Sequence, residues 1–297
     1  MLETITIVLF NALIYTILLA LISLGLNMIL GVLRILNIAH GVFFAVGAYL
    51  SITFVRFFLT LGLPTFTIYL ALILAGFISG LIIGFIIEPT LLRRIYARME
   101  VYQLLVTYAL MLVIEDLIKF IWGPQAQIIS EPYLYLGVIH FGGVSYPIYY
   151  LFLVSVGSVM LLFMYIFLNK TRLGKIIRAT AYDREIALSL GIDVRRVYTY
   201  SFVIGTILTT LGGALIAPTI SLQPGFSSEY IVIAFAVVVL GGLGDLRGAF
   251  LASALIALMR SITIQILPEL ELAVPFIAML LVLSFRPEGI FKGGGRV

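Results

Sequence analysis

Residues 5–30 read ITIVLFNALIYTILLALISLGLNMIL, and no charged side chain interrupts them. As a helix this run rises about 39 Å at 1.5 Å per residue, more than the roughly 30 Å of a bilayer's hydrocarbon core. It is too long for the apolar region of a signal peptide. Glu3 precedes it instead of a basic segment, and no small-residue cleavage site follows. The run is therefore expected to be a retained first span.

The pattern repeats outward from there. Further apolar runs lie at 36–59, 65–87, 101–122, 147–168, 197–217, 229–243, 248–267 and 272–285. Nine crossings is the simplest count, within a range of eight to ten. The seventh run, at 229–243, is short enough to be re-entrant. The expected fold class is all-α: a polytopic integral membrane helical bundle, with 1–297 forming one transmembrane domain. Composition agrees, since 62% of residues are hydrophobic, 11% are charged and mean hydropathy is +1.20. Soluble domains carry about 25% charged residues, so a sizeable water-soluble domain is excluded.

Cysteine is absent, which excludes disulfides and thiolate metal sites. The two histidines, His40 and His140, are too far apart to suggest a metal centre. No cofactor and no nucleic-acid partner are expected, and the lipid bilayer is the main surrounding.

Orientation follows from Lys and Arg, which cytoplasmic loops retain. Placing Arg93, Arg94 and Arg98 inside also places Arg34, segment 170–196, Arg247, Arg286, Lys292 and Arg296 inside. Of the 18 cationic residues only Arg56, Lys119 and Arg260 then remain, all within apolar runs. Glu3, Glu131, Glu229, Glu269 and Glu271 fall outside. The expected topology is N-terminus out and C-terminus in. Segment 123–147, rich in proline and glycine including Gly142 and Gly143, reads as an outer connector.

The one long polar stretch is the cytoplasmic loop at 170–196. Within it, REIALSL at 184–190 suits a short helix, and Gly191 is placed to end it. Glu185 sits where the helix dipole favours a carboxylate. Ala187 and Gly191 are one turn apart, so small side chains on a shared face would admit another helix. The plainer reading is a basic loop lying on anionic headgroups; the ordered acid, alanine and glycine favour docking.

Two polar interruptions precede apolar helices. One is Arg34-Ile-Leu-Asn37-Ile-Ala-His40-Gly41, in which Asn37 and His40 would share a helical face. They would line a path or bond between helices. The other is Gly241-Gly242-Leu-Gly244-Asp245-Leu-Arg247-Gly248. It has glycine's turn chemistry but lacks the Lys-Ser/Thr ending of a phosphate-binding P-loop, and no such motif occurs in the chain. ATP chemistry would have to come from a partner. Intramembrane charges complete the set: Glu115 and Lys119 as an i,i+4 pair beside Asp116, and Arg260, which needs a partner.

Asn37-Ile-Ala-His40-Gly41, the loop from Thr171 through Gly191, and Gly241-Gly242-Leu-Gly244-Asp245 occur in an order that resembles permease subunits of branched-chain amino-acid ABC importers. The likeness is closer to the LivH branch than to LivM, and extends to Glu88-Pro89 and Trp122-Gly123-Pro124. It implies a subunit of the prokaryotic cytoplasmic (inner) membrane working with a second related, LivM-type permease, two ABC ATPase subunits and an extracytoplasmic substrate-binding protein. It also implies that Arg184, Glu185, Ala187 and Gly191 form the ATPase-coupling element. Urea or short amides are the alternative substrates. An alternative of another class is a self-sufficient ion-coupled transporter using Glu115, Asp116 and Arg260.

Overall fold

The structure is a computed structural model that describes residues 2–141, 144–286 and 289–290. Gly142, Gly143, Lys292 and Arg296 lie outside the described residues. Each of the nine apolar runs holds a helix: α1 (Leu2–Leu33), α2 (His40–Thr60), α3 (Thr67–Thr90), α4 (Glu100–Trp122), α6 (Tyr149–Lys170), α9 (Val194–Ile216), α10 (Ser227–Gly241), α11 (Leu246–Ile266) and α12 (Val274–Phe285). Three short helices, α5 (Glu131–Tyr135), α7 (Arg172–Tyr182) and α8 (Arg184–Ser189), connect them. The chain is an all-α polytopic membrane bundle. Among the described residues six helices are long and apolar enough to cross a membrane: α1, α2, α3, α6, α9 and α11. α10 and α12, at 15 and 12 residues, are shorter apolar helices, and α4 carries Glu100, Glu115, Asp116 and Lys119.

The connector at 123–147 is more ordered than its turn chemistry suggests. It holds α5 and an antiparallel hairpin of β1 (Val138–Phe141) and β2 (Val144–Pro147), with His140 opposite Ser145. Short strands with no apolar alternation leave little periodic signal, and glycine and proline dominate the reading. Gln127 pairs by backbone with Leu222, and Arg56 reaches Gln127 Oε1 at 3.3 Å.

α9 is the centre, packed by α1, α2 and α3. It buries Ser201, Thr206, Thr209 and Thr210 completely. Their hydroxyls return to carbonyls four residues earlier, so no polar group on that face is stranded. Against it α3 presents Gly76, Gly80 and Gly84, which share one face at i,i+4 spacing. A methyl group on Gly76 would lie 2.7 Å from the Leu211 Cα, and one on Gly84 equally near the Val203 Cα. Thr206 donates to the Gly80 carbonyl at 2.9 Å and Thr210 to that of Gly76 at 2.6 Å. Gly47 of α2 sits directly on the Thr210 backbone, and Gly25 of α1 on the Gly205 carbonyl. In a bilayer such close backbone approach carries the packing, because burial from lipid adds little.

A Gly47→Ala substitution should therefore cost about 1–3 kcal/mol, the range for overpacking. Gly212→Ala, whose added carbon meets only the Phe44 ring and Leu21 Cβ at 3.2–3.3 Å, should cost less. Thermal unfolding of the two purified variants in detergent checks the order, and equal midpoints would contradict it.

Candidate functional site

The polar features gather at one end of the bundle. Thr171 caps α7 by accepting from the Gly174 amide at 3.0 Å. α7 buries Gly174, Ile177 and Thr180, while Arg172, Lys175 and Arg178 are exposed. Arg34, in left-handed backbone at φ 55°, reaches the Ala181 carbonyl. α8 begins on Asp183, whose carboxylate accepts from the amides of Glu185 and Ile186 at 2.8 and 2.9 Å. It closes on Gly191 at φ 78°, with the Gly191 amide on the Leu188 carbonyl and the Ile192 amide on that of Ala187. This is a Schellman closure, so the expected terminating role of Gly191 is met.

The shared small face is not. Ala187 is buried against its own chain, while Gly191 lies beyond the helix with open space where a Cβ would sit. Every residue of α8 but Ala187 is exposed, as is Leu190 after it, with Ile186, Leu188 and Leu190 at 57%, 51% and 74%. Sequence reading passed over them because apolar residues in a membrane protein carry no signal until their surroundings are known. Arg184, though exposed, holds its guanidinium 5.8 Å from the Tyr198 ring centre on α9. Nearby, burial first and the Glu88 carboxylate second raise the Tyr96 hydroxyl far above its usual range.

The glycine loop is a helix-to-helix turn. Gly242 and Gly244 have φ of 95° and 82°, and Gly241 packs on the Ala249 backbone. Asp245 caps α11, accepting from the amides of Arg247 and Gly248 at 2.9 and 3.2 Å. Asn27 of α1 holds this loop with both halves of its amide: Oδ1 accepts from the Gly244 amide and Nδ2 donates to the Asp245 carbonyl, each at 2.8 Å. Asn27 escaped the sequence reading because one amide in a 32-residue apolar helix resembles ordinary interhelical glue.

Asn37 and His40 do not share a helical face. α2 starts at His40, and Asn37 lies in the irregular segment before it. Both are fully buried. His40 Nε2 meets Thr209 Oγ1 at 2.5 Å and the Ile22 carbonyl at 3.3 Å. Among the described residues the Asn37 side chain and His40 Nδ1 have no hydrogen-bond partner. Gly41 is required by α10, since a Cβ would lie 2.5 Å from the Ile231 Cβ.

The charges at the opposite end resolve differently from expectation. Lys119 pairs with Asp116 at 3.0 Å, not with Glu115, whose buried Oε1 has no hydrogen-bond partner among the described residues. Asp116 at i,i+3 is nearer on the helix surface than the ideal i,i+4 geometry assumed. Arg260 donates Nε to Glu271 at 2.7 Å, Nη2 to Glu229 at 3.4 Å, and lies 4.6 Å from the Tyr15 ring centre. Neither acid was foreseeable, because Glu229 lies 31 residues away and Glu271 follows a turn. Among the described residues no group of three or more His, Cys, Asp or Glu could hold a metal ion.

These are the features of a multi-span membrane protein with an ordered polar loop at one end of its bundle. The chain belongs to the family described as branched-chain amino acid transport system / permease component, whose profile matches residues 8–283. It is 26% identical to the LivH permease protein of the high-affinity branched-chain amino acid transport system of Salmonella typhimurium, covering 91% of this chain and 90% of that one. Identity to LivH of Escherichia coli is 27% and to BraD of Pseudomonas aeruginosa 26%, at the same coverage. The solved structure of PsaBC from Streptococcus pneumoniae in complex with Fab matches with a TM-score of 0.50 at 14% identity, over 96% of this chain and 93% of that one. That likeness is one of fold alone.

Replacing Asn27 by Ala removes the partner of the Gly244 amide and leaves the Asp245 carbonyl only the Ala249 amide, at a cost of about 1–3 kcal/mol. Hydrogen exchange should then rise in the 242–248 amides ahead of the rest of the bundle. Uniform protection would count against this anchoring.

Proposed function

We propose that the chain is a permease subunit of a binding-protein-dependent ABC importer, forming with a second, related permease the pathway for branched-chain amino acids. Two ATP-binding subunits supply the energy and an extracytoplasmic binding protein supplies the substrate. The membrane is the prokaryotic cytoplasmic membrane, with the N-terminus outside and the end bearing α7 and α8 inside.

One observation carries this reading. α8 is an ordered helix with its own cap and closure, yet it turns Ile186, Leu188 and Leu190 away from the bundle. Apolar side chains at the aqueous end mark a docking surface, and Glu185 beside them gives that surface a charge. A permease without a nucleotide motif needs such a joint, because ATP hydrolysis on another chain reaches it only by contact. Arg184, Ala187 and Gly191 support the joint: Arg184 leans on α9, Ala187 seats the helix and Gly191 closes it. Asn37, His40, Gly41 and the Gly241–Asp245 turn are the candidates for the lining or hinges of the path. Lys119 and Arg260 are already paired within the chain, which leaves fewer charges for an ion-coupled cycle.

An Ile186→Asp substitution should abolish co-purification of the ATPase subunits while membrane insertion survives, since that side chain supports nothing in the fold. Retained ATPase would remove α8 from the joint. Proteoliposomes containing this chain alone should show no gradient-driven leucine uptake, and such uptake would overturn the importer reading.

A further inference from the structure

The glycine face of α3 does not stop at Gly84. Residues 76, 80, 84 and 88 fall at successive i,i+4 positions, and opposite them α9 presents 211, 207, 203 and 199. Leu211, Ile207 and Val203 meet the three glycines, and Thr199 meets Glu88. At this last position the small-residue contact becomes a polar knot. The Glu88 side chain is wholly buried and accepts four hydrogen bonds: from Thr199 Oγ1 at 2.7 Å, Tyr96 OH at 2.8 Å, and Arg93 Nη2 and Nε at 2.8 and 3.3 Å. Arg93 also donates to Thr199 at 2.8 Å. A carboxylate withdrawn this far from water is costly unless fully partnered, so the knot holds α3, the turn after it and α9 in one arrangement.

The knot also faces α8. Tyr96 packs edge-on against Tyr198, with ring centres 5.2 Å apart, and the Arg184 guanidinium lies over the other end of that contact. Tyr198 precedes Thr199 on α9. An unbroken line of touching groups therefore runs from the first residue of α8 through Tyr198 and Tyr96 to Glu88. Beyond Glu88 it enters the α3–α9 pair, whose backbones have no slack.

We propose that Glu88 is the positioning residue that makes α3 and α9 move as one body with α8, a role that rests on α8 being the element gripped by the ATPase. Without the knot, a stroke at α8 reaches α9 through the chain but leaves α3 behind.

The test uses the whole importer, with its second permease, ATPases and binding protein, in proteoliposomes with radiolabelled leucine. Glu88→Gln keeps one oxygen acceptor, the hydroxyl left facing its amide nitrogen can turn to accept from it, and Arg93, with 36% of its side chain exposed, can be hydrated, so the fold should survive. ATP hydrolysis should stay within about twofold of the parent while leucine moved per ATP falls about tenfold, the scale of coupling through a packed network. Arg93→Gln combined with Glu88→Gln, which restores a neutral hydrogen-bonded pair, should recover part of that ratio. A proportional fall in uptake and hydrolysis, or an unchanged ratio with the ATPases still bound, would overturn the role of Glu88. Failure of the docking reading is separate, because it shows as ATPase binding retained in Ile186→Asp.

Discussion

A helix enclosed inside a bilayer gains little from the hydrophobic effect, since lipid tails are as apolar as leucine. α9 is enclosed in this way, and what holds it is proximity. Gly25, Gly47, Gly76, Gly80 and Gly84 each bring a neighbouring backbone nearly into contact with it. Threonines then spend their hydroxyls on carbonyls of α9 itself and of α3. Positions of the other central helices are set by this contact. α1 and α2 approach α9 only as closely as their glycines allow, and α10 comes against α2 because Gly41 leaves room for Ile231.

Most of the architecture was legible in the sequence because apolar runs are long and their limits are charged. All nine runs hold helices, and the loop at 171–196 folds into two short ones, of which α8 lies where the signals at 184–190 placed a helix. What the sequence hid were relations at a distance. Arg260 announces a need for partners, but nothing in its neighbourhood points to Glu229 or Glu271. Asn27 and Glu88 look unremarkable until the turn or helix that each one holds is brought beside it. The Glu115–Lys119 pair failed because helical spacing permits two partners and the nearer acid won.

The candidate site shows the same division. Gly191 was readable, since ending a helix is a local act. Ala187 was misjudged because its spacing to Gly191 assumes a helix that continues, whereas the helix ends at Ser189. Ile186, Leu188 and Leu190 were invisible because an apolar residue becomes informative only where lipid and core are both absent. Asn37 lost its expected helical partner for a related reason: the chain turns at Arg34 and does not resume a helix until His40.

The Arg260 knot bears on how the protein is made. Synthesis runs from the N-terminus, so Arg260 reaches the membrane ahead of Glu271, its nearest acid, which follows 11 residues behind. In that interval Tyr15 and Glu229 are the partners already present, and an arginine at the centre of a span costs about 2.5–3.5 kcal/mol to insert by biological scales. α11 is therefore the span whose insertion leans on helices already in place. Closure of the Glu271 turn is the step that brings its arginine a second carboxylate.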